Sequence, residues 1–348
     1  MPENDTVEPQ PPRSLFTLDL NAIRHNAETL RRAAAGAALW AVVKADGYGH
    51  GAVDVARAAL DGGATALCVA TLAEALELRA AIPEARVVVM GPVPADGVVT
   101  ARDAKLEVVT ADGFVPEGVP VHLKLDTGMG RWGLSELPSP SRNVVGVMSH
   151  LAVSESDPAF THTQIERFRE ATDGLEGVER HLANSAATLR HPQAAFDAVR
   201  CGIALYGISP FGTSQAADDL EPALRWESHL ALVKLLERGD STGYGRRFVA
   251  ERPTWIGIVP VGYADGFRRD LTGTEVLVDG ERRRVVGTIS MDALAVELRG
   301  ELPKGTQVTL IGDGVAIEEH ARVAGTIGYE IATGLDSRAP RAERVVVG

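Results

Sequence analysis

The chain has only two cysteines in 348 residues, Cys68 and Cys201. They are too few and too far apart for a disulfide scaffold or a Cys-rich zinc site, and they suit a reducing compartment. The nine histidines include no His-x-His or His-Glu-x-x-His spacing, so no metal site is expected. No run of about 18 apolar residues occurs, and no segment reads as a membrane-spanning helix. Basic charge is in deficit. Thirty-five Lys and Arg against 47 Asp and Glu leave a net charge of −12, which excludes the electrostatic footprint of a DNA-, RNA- or anionic-membrane-binding protein. The leader Met1 to Ser14 is acidic and Pro-rich and lacks the apolar stretch of a secretory signal. It is expected to be a disordered tail on a cytoplasmic protein.

What is present is an ordinary globular composition, 45% hydrophobic, at a length that suits one large domain and one smaller. Strand-like apolar runs lie at 38–45, 66–70, 86–90, 106–110, 119–125, 143–149, 179–183 and 199–204. Their near-continuous Val, Leu and Ile content marks strands buried on both faces, as in a parallel sheet. Helical patterns at 52–60, 72–81 and 161–172 separate several of them. Eight strands alternating with helices predict a (β/α)8 barrel over 15–227. An open doubly wound sheet is the rival, but no Gly-x-Gly-x-x-Gly follows the first strand. From 228 to 348 the texture turns all-β, with runs at 230–235, 254–261, 275–278, 285–289, 294–298 and 307–311 and a hairpin signal at Asp279-Gly280. A second, β domain is expected there, with no strong helix before Val315.

Polar residues gather at the C-terminal ends of the barrel strands: Lys44 after the first, Arg131 after the fifth, His150 after the sixth, Asn184 and Ser185 after the seventh, Arg200 at the eighth. These ends share one face of a barrel, so the six should converge on one mouth. Taken singly, each has a bland reading, a Lys at a strand end being an ordinary surface charge. Arg200 between Val199 and Cys201 is harder to dismiss, because a charge in an apolar strand needs a partner. A Lys among apolar neighbours can present a free amine to an aldehyde cofactor. Asn184-Ser185-Ala186 opens a helix whose free N–H groups suit a phosphate, and Gly202 and Ile203 can add backbone donors. A Lys for a Schiff base, a phosphate site and an Arg for a ring nitrogen together spell pyridoxal phosphate. Ser185 lacks the Gly-x-Ser-x-Gly surroundings of a hydrolase nucleophile.

The chain also resembles the alanine racemase family of type III fold pyridoxal phosphate enzymes. The resemblance rests on AVVKADGYGHGA (41–52), HLKLDTGMGRWG (122–133), SHLAVSESD (149–157), HLANSAATL (181–189), RCGIALYG (200–207), GYGRRF (243–248), VGYADGFRR (261–269) and ISMD (289–292), and it runs from about residue 15 to 345. It implies pyridoxal 5'-phosphate held as a Schiff base on Lys44, with Tyr48, Ser185, Gly202, Ile203 and Tyr329 about the phosphate and Asn184 in the same turn. His150 would pack against the pyridine ring and bond towards Arg200. Arg131 would lie near the cofactor's phenolic oxygen and the substrate carboxylate. Arg cannot accept a proton from the ring nitrogen, which weakens the ring as an electron sink and suits brief proton exchange over transamination.

By the same resemblance the activity is interconversion of L- and D-alanine, which supplies D-alanine for the bacterial cell wall. Two bases are needed, one on each face. Lys44 would handle the proton of the D antipode and Tyr244 that of the L antipode, with Tyr244, Tyr263 and Met291 reaching the site from the partner subunit of a homodimer. Gly243 replaces the family's usual Ser, Thr288 a common basic residue and Ser290 a frequent Cys, all in the partner-side wall. In some members the residue corresponding to Lys124 is carbamylated. A broader racemase that accepts serine, or a non-catalytic pyridoxal phosphate carrier, are the alternatives.

Overall fold

The structure, a computed structural model, describes residues 11–139 and 141–348. Two compact units form: Asp19–Ala223, and 11–18 together with Leu224–Val347.

The first unit is a closed parallel barrel of β2 (Ala38–Val42), β3 (Ala66–Val69), β4 (Val87–Val89), β5 (Glu107–Thr110), β6 (Val121–Lys124), β7 (Val144–Met148), β8 (Glu179–His181) and β9 (Ala198–Cys201), numbered after β1 (Leu15–Asp19). Each strand falls within an apolar run of the sequence or within one residue of it. β9 pairs back on β2, with Arg200 opposite Trp40, which closes the ring. Side chains that accept backbone N–H groups start the surrounding helices. Asp19 caps Leu20–Ala33 by accepting from Asn21 N at 2.8 Å. Thr71 and Glu74 form a capping box on Leu72–Ala81. Asp157 caps Pro158–Thr172, with proline in the first turn. The barrel interior is partly polar. His122 and His181 are fully buried inside it beside Trp40.

The second unit is a nine-stranded sheet in the order β11-β14-β17-β16-β15-β18-β10-β1-β19. Its later members are β10 (Leu224–His229), β11 (Leu232–Leu236), β12 (Ser241–Thr242), β13 (Phe248–Val249), β14 (Thr254–Val259), β15 (Glu275–Val278), β16 (Glu281–Val286), β17 (Leu294–Leu298), β18 (Gln307–Ile311) and β19 (Glu343–Val347). β12 and β13 pair separately as a two-stranded ribbon. Asp279 and Gly280 join β15 to β16 with φ of 52° and 75°, the positive pair that a type I′ hairpin requires. Among the described residues of this unit, α-helices are formed by Ile317–Ala324 and Gly328–Thr333.

The expected barrel span of 15–227 differs from this division at both ends. β1 pairs antiparallel with β10, setting Phe16 opposite Trp226, and their rings stack with centroids 4.9 Å apart. Its alternating burial, with Phe16 and Leu18 fully covered, is that of a strand with one face on a core. Each of those side chains contributes about 1.5–3 kcal/mol of burial, enough to fix the segment in the sheet. The expected disordered leader is corrected over 11–14 for the same reason, while residues 1–10 lie outside the described residues. Ser14 is buried and accepts the Trp226 indole N–H at 2.8 Å, and Arg13 forms a two-pronged ion pair with Asp265 at 2.8 and 2.7 Å.

Candidate active site

Lys44 stands two residues beyond β2, where the backbone turns left-handed. Ala45, Asp46, Gly47 and Tyr48 have φ of 52°, 50°, 59° and 53°. Three of them carry a Cβ, and each such residue costs roughly 1–2 kcal/mol in this conformation. Hydrogen bonds from outside the turn hold it. Ala45 N donates to Glu74 Oε1 at 2.7 Å and Ala52 N to Asp46 Oδ1 at 2.9 Å. Tyr206 donates its hydroxyl to Val42 O at 2.9 Å and packs its ring against Tyr48. Backbone strain of this kind persists where surrounding structure over-determines it, and here it places Lys44 and Tyr48.

The Lys44 ammonium is disfavoured. Burial lowers its pKa first and the Arg131 charge second, against a smaller pull upward from Glu74. Lys124, at the end of β6, is buried and surrounded by like charge. Burial, then Arg200, Arg131 and Lys44, push its pKa down to about 8. These four cations therefore share one mouth. Asp126 shapes the loop that carries Arg131 by accepting from the backbone of Gly128, Met129 and Gly130 at 2.9, 2.8 and 3.1 Å. A cavity of about 380 Å³ opens beside Lys124 and Arg131, walled by the apolar loops after β4 and β5.

Arg200 is buried on β9 and uses both terminal nitrogens. Nη1 donates to His181 O at 2.7 Å and His181 Nδ1 at 2.9 Å, while Nη2 donates to Ser149 O at 2.7 Å, Leu182 O at 3.3 Å and His150 Nδ1 at 3.4 Å. None of these bonds uses Nε–H. Burial lowers the guanidinium pKa to about 10, and it remains a cation at neutral pH. His150 is held neutral, its pKa pushed down to about 3 by burial and then by Arg200.

On the neighbouring strand ends Ser185 Oγ accepts from Gly202 N at 3.0 Å and Ala204 N at 3.4 Å. Residue 202 must lack a side chain, since a Cβ there would stand 2.5 Å from Tyr48 Oη. Hydroxyls of Tyr48 and Ser185 over the amides of 202–204 make a cradle for a phosphate, and the free Nε–H of Arg200 suits a ring nitrogen acceptor. The residues thus fit pyridoxal phosphate. Asn184 holds the same turn: its Oδ1 caps the helix Ser185–Arg190 through Ala187 N and accepts the Ser154 hydroxyl.

Three of the remaining residues lie together on the β unit. Tyr244 sits between β12 and β13, 73% exposed, and its carbonyl accepts the Thr288 hydroxyl at 2.7 Å. Tyr263 N donates to Ser290 O and Ala264 N to Met291 O, both at 3.0 Å, so the segment carrying Tyr263 is tied to Met291. Tyr263 and Met291 are 41% and 52% exposed. Tyr329 is half-buried on the helix Gly328–Thr333.

Sequence reasoning missed the groups behind Arg200: His181, His122, Glu107 and Arg86. A polar side chain in an apolar strand was the signal that singled out Arg200, and the same signal is present at His122 and His181.

Known proteins resemble this chain over nearly its whole length. Residues 18–210 match the alanine racemase N-terminal domain and residues 223–343 the C-terminal domain. Alanine racemase 1 of Bacillus subtilis is 40% identical, covering 93% of this chain and 91% of its own. The alanine racemase of Streptomyces coelicolor is 41% identical over 94% of this chain and 95% of its own. A solved alanine racemase from Streptomyces coelicolor superposes with a TM-score of 0.88 at 38% identity, covering 97% of this chain and 98% of that one. One from Bartonella henselae with covalently bound pyridoxal phosphate gives 0.85 at 27% identity, covering 96% and 99%. With both domain matches spanning nearly its whole length and relatives about 40% identical across it, the chain belongs to the alanine racemase family.

Proposed function

We propose that the chain interconverts L- and D-alanine with pyridoxal 5'-phosphate held on Lys44, and that two bases, Lys44 Nζ and Tyr244 Oη of the partner subunit, serve opposite faces of the substrate. The observation that carries this reading is the convergence of a Lys with a disfavoured charge, the cradle of Tyr48, Ser185, Gly202 and Ile203, and the donor Arg200 at one barrel mouth. When bound, the cofactor supplies the electron sink that makes the substrate's α-proton removable.

The protein's own groups do the rest. Arg200 offers Nε–H as a donor and cannot take a proton, so it orients the ring without serving as a base. His150, kept neutral, provides a flat face beside it. Arg131 supplies a cation for the substrate carboxylate. Lys44 Nζ moves the proton on one side of the α-carbon and Tyr244 Oη on the other, as racemisation requires. Tyr263 and Met291 share the Tyr244 edge of the β unit and close the entrance from the partner, with Tyr329 at the phosphate. The exposure of Tyr244, Tyr263 and Met291 on one unit favours a homodimer in which a second copy covers them. The role is that of a cytoplasmic enzyme supplying D-alanine for peptidoglycan.

Chiral analysis of product from L-alanine, with and without added cofactor, tests the activity, and a panel including serine tests its breadth. Borohydride reduction and peptide mapping should put the cofactor on Lys44, one of five lysines in the chain. Label on any of the other four, or no D-alanine from the loaded protein, would overturn the reading.

A further inference from the structure

Behind Arg200 a line of buried polar groups runs down the inside of the barrel. His181 Nε2 lies 2.9 Å from His122 Nδ1, and His122 Nε2 lies 2.7 Å from Glu107 Oε2. Glu107 in turn takes both prongs of Arg86 at 2.8 Å, and Arg86 reaches Glu179. His122 and His181 are wholly buried, and the Arg86 guanidinium lies over the Trp40 ring at 4.6 Å.

Donor and acceptor counting gives this line a direction. Arg200 has only donors, so His181 must present a lone pair at Nδ1. His181 therefore carries its proton on Nε2 and donates it to His122 Nδ1. His122 then carries its proton on Nε2 and donates it to Glu107, which as a carboxylate only accepts. Glu107 is fixed in that state: burial pushes its carboxyl up, but the hydrogen bonds from His122 and Arg86 outweigh burial and hold it at about 2. His181 stays uncharged, since burial and then Arg200 drive its pKa well below the ordinary value. A carboxylate at one end and a guanidinium at the other thus allow one tautomer at each ring between them. The space is cut to fit. A Cβ on residue 146 would stand 2.1 Å from His122 Nδ1, so the ring has its place only because Gly146 has no side chain.

We propose that His122 and Glu107 are positioning residues for Arg200: by fixing the Nδ1 lone pair of His181 they hold the guanidinium plane so that its Nε–H faces the cofactor ring. The proposal rests on the cofactor reading above and adds residues to it. With the relay broken, the His181 Nε2–H loses its acceptor, the ring is free to tilt, and its Nδ1 lone pair leaves its place 2.9 Å from Arg200 Nη1, so that the guanidinium turns aside.

The test is the ring tautomers in the holoprotein labelled with 15N-histidine, with signals assigned by single-histidine replacements. Wild type should show His181 and His122 both protonated on Nε2. His122→Phe removes the acceptor, and Gly146→Ala crowds the same ring while leaving every relay residue in place. Both should shift the His181 ring 15N signals away from those of the wild type, shift the visible absorption of the bound cofactor and lower kcat by about 10- to 100-fold with KM for alanine little changed, the scale seen when a supporting group behind a functional residue is removed. Glu107→Gln puts an amide donor where only an acceptor stood, against either Arg86 or His122, and should disturb the His181 ring signals and kcat in the same direction. A wild-type His181 protonated on Nδ1 would overturn the proposal without any variant. So would variants that keep the His181 ring signals, absorption and kcat of wild type. The expected tautomers in a protein that fails to racemise alanine would sink the activity instead and leave the relay standing.

Discussion

Gly243 and Thr288 meet more closely than any side chain at 243 would allow: a Cβ there would lie 2.8 Å from Thr288 N. Gly243 also has φ 77° and ψ 170°, a region that is essentially open to glycine alone. The Ser that the resemblance implies at this position in the family is therefore excluded by the backbone of this chain. Gly243→Ser should cost about 1–3 kcal/mol and lower the melting temperature. It should also reduce racemisation by displacing Tyr244, with cofactor affinity unchanged. A variant as stable and as active as wild type would show that the turn accepts a side chain.

Asp265 ties both ends of its unit together, receiving Arg13 from before β1 and Arg341 from before β19. Burial works to raise its pKa, but the hydrogen bonds from Arg13, Arg341 and Gly262 N outweigh it, and the net shift is downward. A lowered carboxylate pKa contributes stability above the unfolded value of about 4, and that contribution is lost as pH falls through the lower folded value. Arg13→Ala should therefore cost roughly 2 kcal/mol at neutral pH. The gap from wild type should narrow as the solution is acidified below about pH 4. Denaturant titrations across that range measure it, and a gap independent of pH would assign the loss to packing. Removal of residues 1–10 should leave this anchor intact, whereas removal of 1–14 should not.

Much of this molecule was legible in its sequence because burial leaves a composition. Strands covered on both faces read as mainly apolar runs, and most of the barrel strands stood out in this way, with Arg200 as a charge within one; β8 (Glu-Arg-His) was placed by the apolar residues that follow it, Leu182 and Ala183. β1 was illegible for a physical reason: five residues beside a Pro-rich leader carry too short an alternation to distinguish a sheet partner from the start of a barrel. The left-handed turn at 45–48 was illegible because Ala and Tyr do not choose that backbone; the hydrogen bonds that Ala45 N and Ala52 N donate to the carboxylates of Glu74 and Asp46 impose it. That Asn184 Oδ1 caps the helix through Ala187 N was not legible, because a residue opening a helix can cap it, face a ligand, or do both.

Tyr244 offers a direct test of the two-base reading. Tyr244→Phe removes only a hydroxyl from an exposed side chain, so folding and cofactor binding should be retained. Racemisation should fall by roughly 10²–10⁴-fold, the usual contribution of a general base. Exchange of the α-hydrogen of D-alanine with deuterated solvent should survive better than that of L-alanine. Equal losses with the two antipodes would mean that Tyr244 does not serve one face.

Division of the site between two subunits has a quantitative consequence. Lys44 belongs to the barrel unit and Tyr244 to the β unit, and in a two-fold dimer each site would take Lys44 from one chain and Tyr244 from the other. Lys44→Ala and Tyr244→Phe homodimers should both be inactive. When they are dissociated, mixed in equal amounts and reassembled, about half the dimers are hybrids, and each hybrid has one site damaged twice and one left whole. Activity should then return to roughly a quarter of the wild-type value per site. If both bases came from the same chain, every site in a hybrid would lack one of them and nothing would return. Subunit exchange must be verified independently, for example by native mass spectrometry of a size-tagged variant. A mixture that exchanges and stays inactive would place both bases in one chain.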